Sequence, residues 1–81
     1  MHEAAIAKEI YDIAARTMEE NGLTALKKVV MDIGEYTAVV PEQLQTVWVI
    51  AVHNTPMEGC ELEMNMLPGR PGMFVRTIEG L

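Results

Sequence analysis

A single cysteine, Cys60, in 81 residues excludes an intrachain disulfide and any zinc site built on Cys-x-x-Cys pairs. Basic residues are also scarce: six Lys and Arg stand against twelve Asp and Glu, for a formal net charge of −6. Nucleic-acid affinity comes largely from Lys and Arg neutralising phosphates, and anionic membranes attract basic segments. Neither nucleic acid nor membrane is therefore expected as a partner. No stretch approaches the ~20 apolar residues of a membrane span. No basic region precedes a hydrophobic run at the start, so the N-terminus does not read as a signal peptide, and a cytoplasmic location is expected. The only aromatic residues are Tyr11, Tyr36, Trp48 and Phe74. The core must then be built from Val, Ile, Leu, Ala and some of the seven methionines.

A catalytic constellation is missing as well. His2, His53 and Cys60 have no Asp or Asn at a motif spacing and no nucleophile turn. Gly69-x-x-Gly72 lacks the Lys and the following helix of a phosphate loop. No catalytic residue and no organic cofactor site is assigned, and the chain does not read as an enzyme. What remains is ordinary globular material, 49% apolar and 22% charged. Its length suits one small domain, near the size at which a single core is only just sufficient.

The most informative residues that are present are the first three, Met1-His2-Glu3. They place a terminal amine, an imidazole and two main-chain amides within reach of one chelated ion. Nitrogen donors in a near-planar array suit Ni(II) or Cu(II), whereas zinc prefers tetrahedral sites. Methionine removal generally requires a small second residue, and His2 is bulky, so Met1 is expected to stay and supply the amine. The plainer alternative is that His2 is a polar residue on a frayed terminus.

Along the chain, Glu3 to about Glu20 has helical periodicity, with Ile6, Ile10, Ile13, Ala14 and Met18 on one stripe. Asn21-Gly22 ends it. Leu26 to Ile33 alternates as a strand whose core face is Val29, Met31 and Ile33. Pro41 suits the first position of a second helix reaching His53, with Leu44, Val47, Trp48 and Ala51 on one face. Its β-branched stretch Thr46 to Val52 could equally form a buried strand. Cys60–Met66 and Met73–Ile78 alternate as two further strands. Along the last, Met73, Val75 and Thr77 take one side, and Phe74, Arg76 and Ile78 the other.

The dense turn signal Pro68-Gly69-Arg70-Pro71-Gly72 predicts that these last two strands pair as an antiparallel hairpin. The order α-β-α-β-β predicts an α+β domain, two helices packed on one face of a three-stranded mixed sheet. Its first two strands and the helix between them form a right-handed βαβ-like unit. His53 is expected to interact with its helix C-terminus, Cys60 to be a small buried hydrophobe, and Glu61 and Glu63 to lie on a solvated face. The methionines at 31, 57, 64, 66 and 73 offer thioethers suited to Cu(I), but strand positions favour core or interface filling.

Met1-His2-Glu3, Ile6, the stretch "NGLTALKKVVMDIGEYTAVVPEQL" from Asn21 to Leu44, and the segment Thr55 to Met66 together resemble the hydrogenase nickel-incorporation proteins of the HypA/HybF family. The family inserts a zinc-binding domain with two Cys-x-x-Cys pairs at about residue 67. This chain instead carries Leu67-Pro68-Gly69-Arg70-Pro71-Gly72, and then "GMFVRTIEGL", which is similar to the family's last strand.

The resemblance implies one nickel-binding domain over residues 1–81 and no bound zinc. It further implies Ni(II) as cargo, held by the Met1 amine, the His2 imidazole and amide, and the Glu3 amide, with the Glu3 side chain as an outer-shell group. The implied partners are a maturation GTPase of the HypB type and a hydrogenase large subunit. The rival expectation is an interaction module of the same fold, without metal function, that homodimerises or docks through an exposed strand edge and its Met-rich surface.

Overall fold

The computed structural model describes residues 2–81. Helix α1 (His2–Asn21) leads to strand β1 (Leu26–Gly34), a single 3-10 turn (Glu35–Thr37), helix α2 (Pro41–Val52), and strands β2 (Glu61–Leu67) and β3 (Met73–Gly80). The α+β class and its element order are as the periodicities predict.

Helix α1 buries Ile6, Ala7, Ile10 and Ala14. Ile13, expected on the same stripe, lies exposed at its edge, and Ala7 takes the interior position instead. Gly22 ends the helix at φ +64°, and the Leu23 amide donates back to Met18 O at 2.9 Å. A left-handed glycine with this long-range return bond satisfies carbonyls that the helix end would otherwise orphan.

Pro41 stands at the start of α2, where its missing N–H costs nothing. The Thr46–Val52 stretch is helical despite its β-branching, because Leu44, Trp48 and Val52 bury one face. The Trp48 ring N–H donates to Cys60 O at 2.9 Å, and the Gln45 amide donates to Leu62 O, tying α2 to the start of β2.

The sheet order is β2-β1-β3. Strands β1 and β2 run parallel, Val29 opposite Leu62 and Met31 opposite Met64. Strands β1 and β3 run antiparallel, Val29 opposite Ile78 and Ile33 opposite Met73. The expected βαβ unit is therefore present as a parallel pair joined by a helix, but the expected β2–β3 hairpin is not: the two strands flank β1 and never meet. The Pro68–Gly72 segment crosses the end of β1 instead of reversing beside it. Gly34 N donates to Gly72 O at 2.8 Å, Tyr36 N to Arg70 O at 3.0 Å, and Gly69 N to a Glu35 carboxylate oxygen at 2.7 Å.

This crossing is what Gly34 permits, since a Cβ built there would lie 2.3 Å from Arg70 O. A second correction concerns β3. Val30 faces Thr77 while Met31 faces Val75, so Arg76 is an extra residue in the ladder. Such a bulge switches the alternation, and Ile78 consequently joins Met73 and Val75 against the core while Thr77 is exposed.

Val29, Met31 and Ile33 are buried as the alternation predicts, in one cluster with Ile10, Leu44, Trp48 and the neighbouring strand's Leu62. The opposite face of the sheet carries charged and polar pairs around the buried Val30. Lys28 pairs with Glu63 at 2.8 Å, and Asp32 accepts from Asn65 at 3.1 Å and from Arg76 at 3.4 Å. Glu63 is thus half-buried and paired, whereas Glu61 is solvated as expected. No described helix is long and apolar enough to cross a membrane.

Candidate functional site

Met1 lies outside the described residues, so of the three expected nickel donors the structure places two. His2 opens α1 and is exposed. A helix leaves its first N–H groups without intrahelical partners, so the His2 and Glu3 amides lie outside the helix ladder.

Glu3 behaves differently from its neighbour. It is buried, 6% exposed, and its carboxylate accepts the Val40 N–H at 3.1 Å. Val40 is the N-cap residue of α2 and makes no side-chain capping bond; its own main-chain N–H is taken up by Glu3 from across the helix pair. The two helices therefore begin side by side, joined by one charged hydrogen bond. An open groove of about 390 Å³ lies between them, lined by Glu3, Ala4, Glu42, Gln43, Thr46 and Val47. The Glu3–Val40 contact spans 37 residues, and no local signal in the sequence announces it.

The Val40 N–H holds the Glu3 carboxyl below its ordinary pKa of 4.5, assisted by its own main-chain N–H and the nearby His2, against the opposing effect of burial. A carboxyl with a lowered folded-state pKa contributes stability above its unfolded value, and loses that contribution as pH falls through the folded one. Wild-type protein should therefore lose more stability than Glu3→Gln between pH 5 and pH 3, about the range of carboxylate titration. Thermal melts of both across that range check this, and a gap that stays constant with pH would contradict it.

The other singled-out residues lie elsewhere. His53 caps the far end of α2, about 18 Å of helix from Pro41. Its Nδ1 is 2.8 Å from Glu58 Oε2, an exposed pair, so the ring engages a carboxylate and not the helix carbonyls. Cys60 is buried, and burial pushes its thiol above the ordinary range, as suits a small core residue. His2 and His53 stand at opposite ends of the helical layer, which dissolves any His2–His53–Cys60 set. Among the described residues no three His, Cys, Asp or Glu side chains come together as a metal cluster.

A small helix pair on a mixed sheet, with a histidine at the head of its first helix, defines the class. Residues 1–71 match the family model described as hydrogenase/urease nickel incorporation, metallochaperone. The chain belongs to this HypA family, whose description is that of a metal carrier and not of a catalyst. It is 32% identical over 69 residues to the hydrogenase maturation factor HypA of Deinococcus radiodurans, covering 85% of this chain and 58% of that one. The HypA factors of Lawsonia intracellularis and Ignicoccus hospitalis are each 35% identical, over 68 and 72 residues, covering 84% and 86% of this chain. The chain spans 58% and 52% of those two relatives. The solution structure of the Ni metallochaperone HypA from Helicobacter pylori shares the fold, with a TM-score of 0.85 at 13% identity over 100% of this chain and 98% of that one.

Proposed function

We propose that this chain is a nickel-binding accessory protein, metallochaperone-like, for maturation of a nickel enzyme such as a nickel-iron hydrogenase. One observation carries the reading: His2 heads α1, exposed, beside the first-turn amides, which are outside the intrahelical hydrogen-bond ladder. The donors are the Met1 amine, the His2 imidazole and amide, and the Glu3 amide. The Glu3 carboxylate contributes by holding the turn against α2 and does not ligate. The names of the relatives support a hydrogenase as client; a HypB-type GTPase and the hydrogenase large subunit are the partners that we propose with it. Residues 1–81 then act as a nickel domain in which the short Leu67–Gly72 crossing stands where the family's zinc-binding domain would be inserted, and no zinc is bound.

Calorimetric titration with Ni(II) tests this reading on two chains, one beginning at Met1 and one with a few residues added before it. The first should bind one equivalent, more weakly as the solution is acidified, because protons compete with the metal for the nitrogen donors. The extended chain should bind far more weakly, since its amine has moved away. Equal binding by both would place the site elsewhere. Absence of binding in both would favour an interaction module, for which the exposed Val49 and Ile50 of α2, 65% and 70% accessible, offer an apolar face.

A further inference from the structure

The sheet has two outer edges, and only one of them is sealed. Along β2 the carbonyls of Cys60 and Leu62 are taken by the Trp48 ring N–H and the Gln45 amide, so α2 covers the start of that edge. Among the described residues no such bond reaches the outer main-chain groups of β3. The two ends of β3 fix which groups those are. Leu81 N donates to Ala25 O at 2.9 Å, Leu81 O accepts from Thr24 N at 2.7 Å, and Gly72 O accepts from Gly34 N at 2.8 Å. All three therefore face the β1 side. Main-chain groups of successive strand residues point to alternate sides. Gly80 and Ile78 thus turn theirs to the open edge, and so do Val75 and Met73 on the other side of the Arg76 bulge. Such a row of donors and acceptors is a template for one more strand.

The side chains along this edge complement themselves. Laid antiparallel on a second copy about a two-fold axis through Ile78, β3 sets Ile78 opposite Ile78 and Val75 opposite Gly80, each with its outward main-chain groups facing the other's. The bulge supplies the charge match. Arg76 and Thr77 together oppose the single residue Val30 of β1, and by the same count they oppose Glu79 of the second copy. Glu79 stands opposite Lys28 on the charged face of the sheet, the face on which Arg76 reaches Asp32. The two-fold makes this contact twice. One residue further out, Phe74 meets Leu81, two large apolar side chains that are otherwise 64% and 65% exposed. Arg76 holds Asp32 only at 3.4 Å, and a guanidinium has five N–H donors, so donors remain for Glu79. A net charge of −6 opposes unspecific self-association. Only a register that joins acid to base offsets it. We propose that two copies of this chain associate through β3, antiparallel about a two-fold axis at Ile78, into one six-stranded sheet.

Sedimentation equilibrium of the full chain and of two charge reversals, without added metal, is the test. Wild type should be dimeric at high micromolar concentration. Arg76→Glu and Glu79→Arg should each raise the dissociation constant on the order of 100-fold, because two like-charge contacts replace two ion pairs. Both positions are exposed, so each variant should keep the far-ultraviolet circular dichroism of the parent. Mixed one to one, the two variants should recover the dimer, since every contact across the axis again joins an acid to a base. Both variants still carry more acids than bases, so bulk charge does not produce that recovery. Amide hydrogen exchange reads the register: the Val75, Ile78 and Gly80 N–H groups should exchange slowly in the wild-type dimer and quickly in either variant alone. The proposal is overturned by a monomeric wild type, by single variants that dimerise as tightly as the parent, or by a mixture that stays monomeric. With no nickel present, none of these outcomes bears on the reading of His2.

Discussion

Gly34→Ala should lower the melting temperature by roughly 12–24 °C, from a loss of about 3 kcal/mol at ~4–8 °C per kcal/mol for a domain of this size. Gly34 itself has φ −72° and ψ 145°, extended backbone that alanine adopts freely. The cost is therefore steric alone. The new methyl carbon would sit 2.3 Å from Arg70 O, 2.7 Å from Arg70 C and 2.9 Å from Pro71 C. All three are backbone atoms, so no side chain can swing aside. Relief requires the Pro68–Gly72 crossing to lift, and lifting breaks the bonds from Gly34 N to Gly72 O and from Tyr36 N to Arg70 O. Gly69→Ala is the control: φ is +70° but nothing lies within 4 Å of the added carbon, so it should cost only about 1 kcal/mol of backbone strain. If Gly34→Ala melts within a few degrees of wild type, the chain does not cross β1 there.

Trp48→Ala should cost about 3–5 kcal/mol for the cavity, with a further ~1–3 kcal/mol for the Cys60 carbonyl left without its donor. Trp48 is 1% exposed and heads the fully buried side chains. Small domains begin with little stability, about 5 kcal/mol at the lower end of the usual range, so this variant should be largely unfolded at 37 °C. Trp48→Phe keeps most of the apolar volume but not the ring N–H, and should lose the smaller part alone. Urea denaturation followed by far-ultraviolet circular dichroism ranks the three proteins. A Trp48→Ala midpoint close to wild type would mean that α2 is not clamped to the start of β2.

These two residues mark what could and could not be read from the sequence. Trp48 was legible because Leu44, Val47 and Ala51 recur with it at helical spacing; Leu44 and Trp48 are fully buried, whereas Val47 and Ala51 are half-buried and Val52 completes the buried stripe instead. The core face of β1 was legible for the equivalent reason, a period of two in Val29, Met31 and Ile33. Strand pairing was not. Pro68-Gly69-Arg70-Pro71-Gly72 has the composition of a hairpin turn, and the same five residues serve equally to step across one strand. The choice depends on which side of β1 is vacant once β2 has docked in parallel, which is a tertiary matter. Ile78 was misplaced because the Arg76 bulge changes the parity of β3 without a glycine to announce it.

At the site, His2 stood out by its place beside the terminal amine, and local chain order was enough to see it. The role of the Glu3 carboxylate was not visible, because its partner is a main-chain N–H 37 residues away. Any residue at position 40 other than proline would supply that donor, so the identity of Val40 carries no trace of the contact.

The proposed nickel site at the head of α1 is most directly tested by titrating the chain beginning at Met1, and its His2→Ala variant, with Ni(II) side by side. Heat and d–d absorption should be recorded together. Wild type should show one saturable equivalent with an absorption band of planar nitrogen coordination. His2→Ala should lose most of the affinity and that band, because the imidazole and its chelate ring disappear together. Retention of wild-type stoichiometry, affinity and spectrum by His2→Ala would contradict the account.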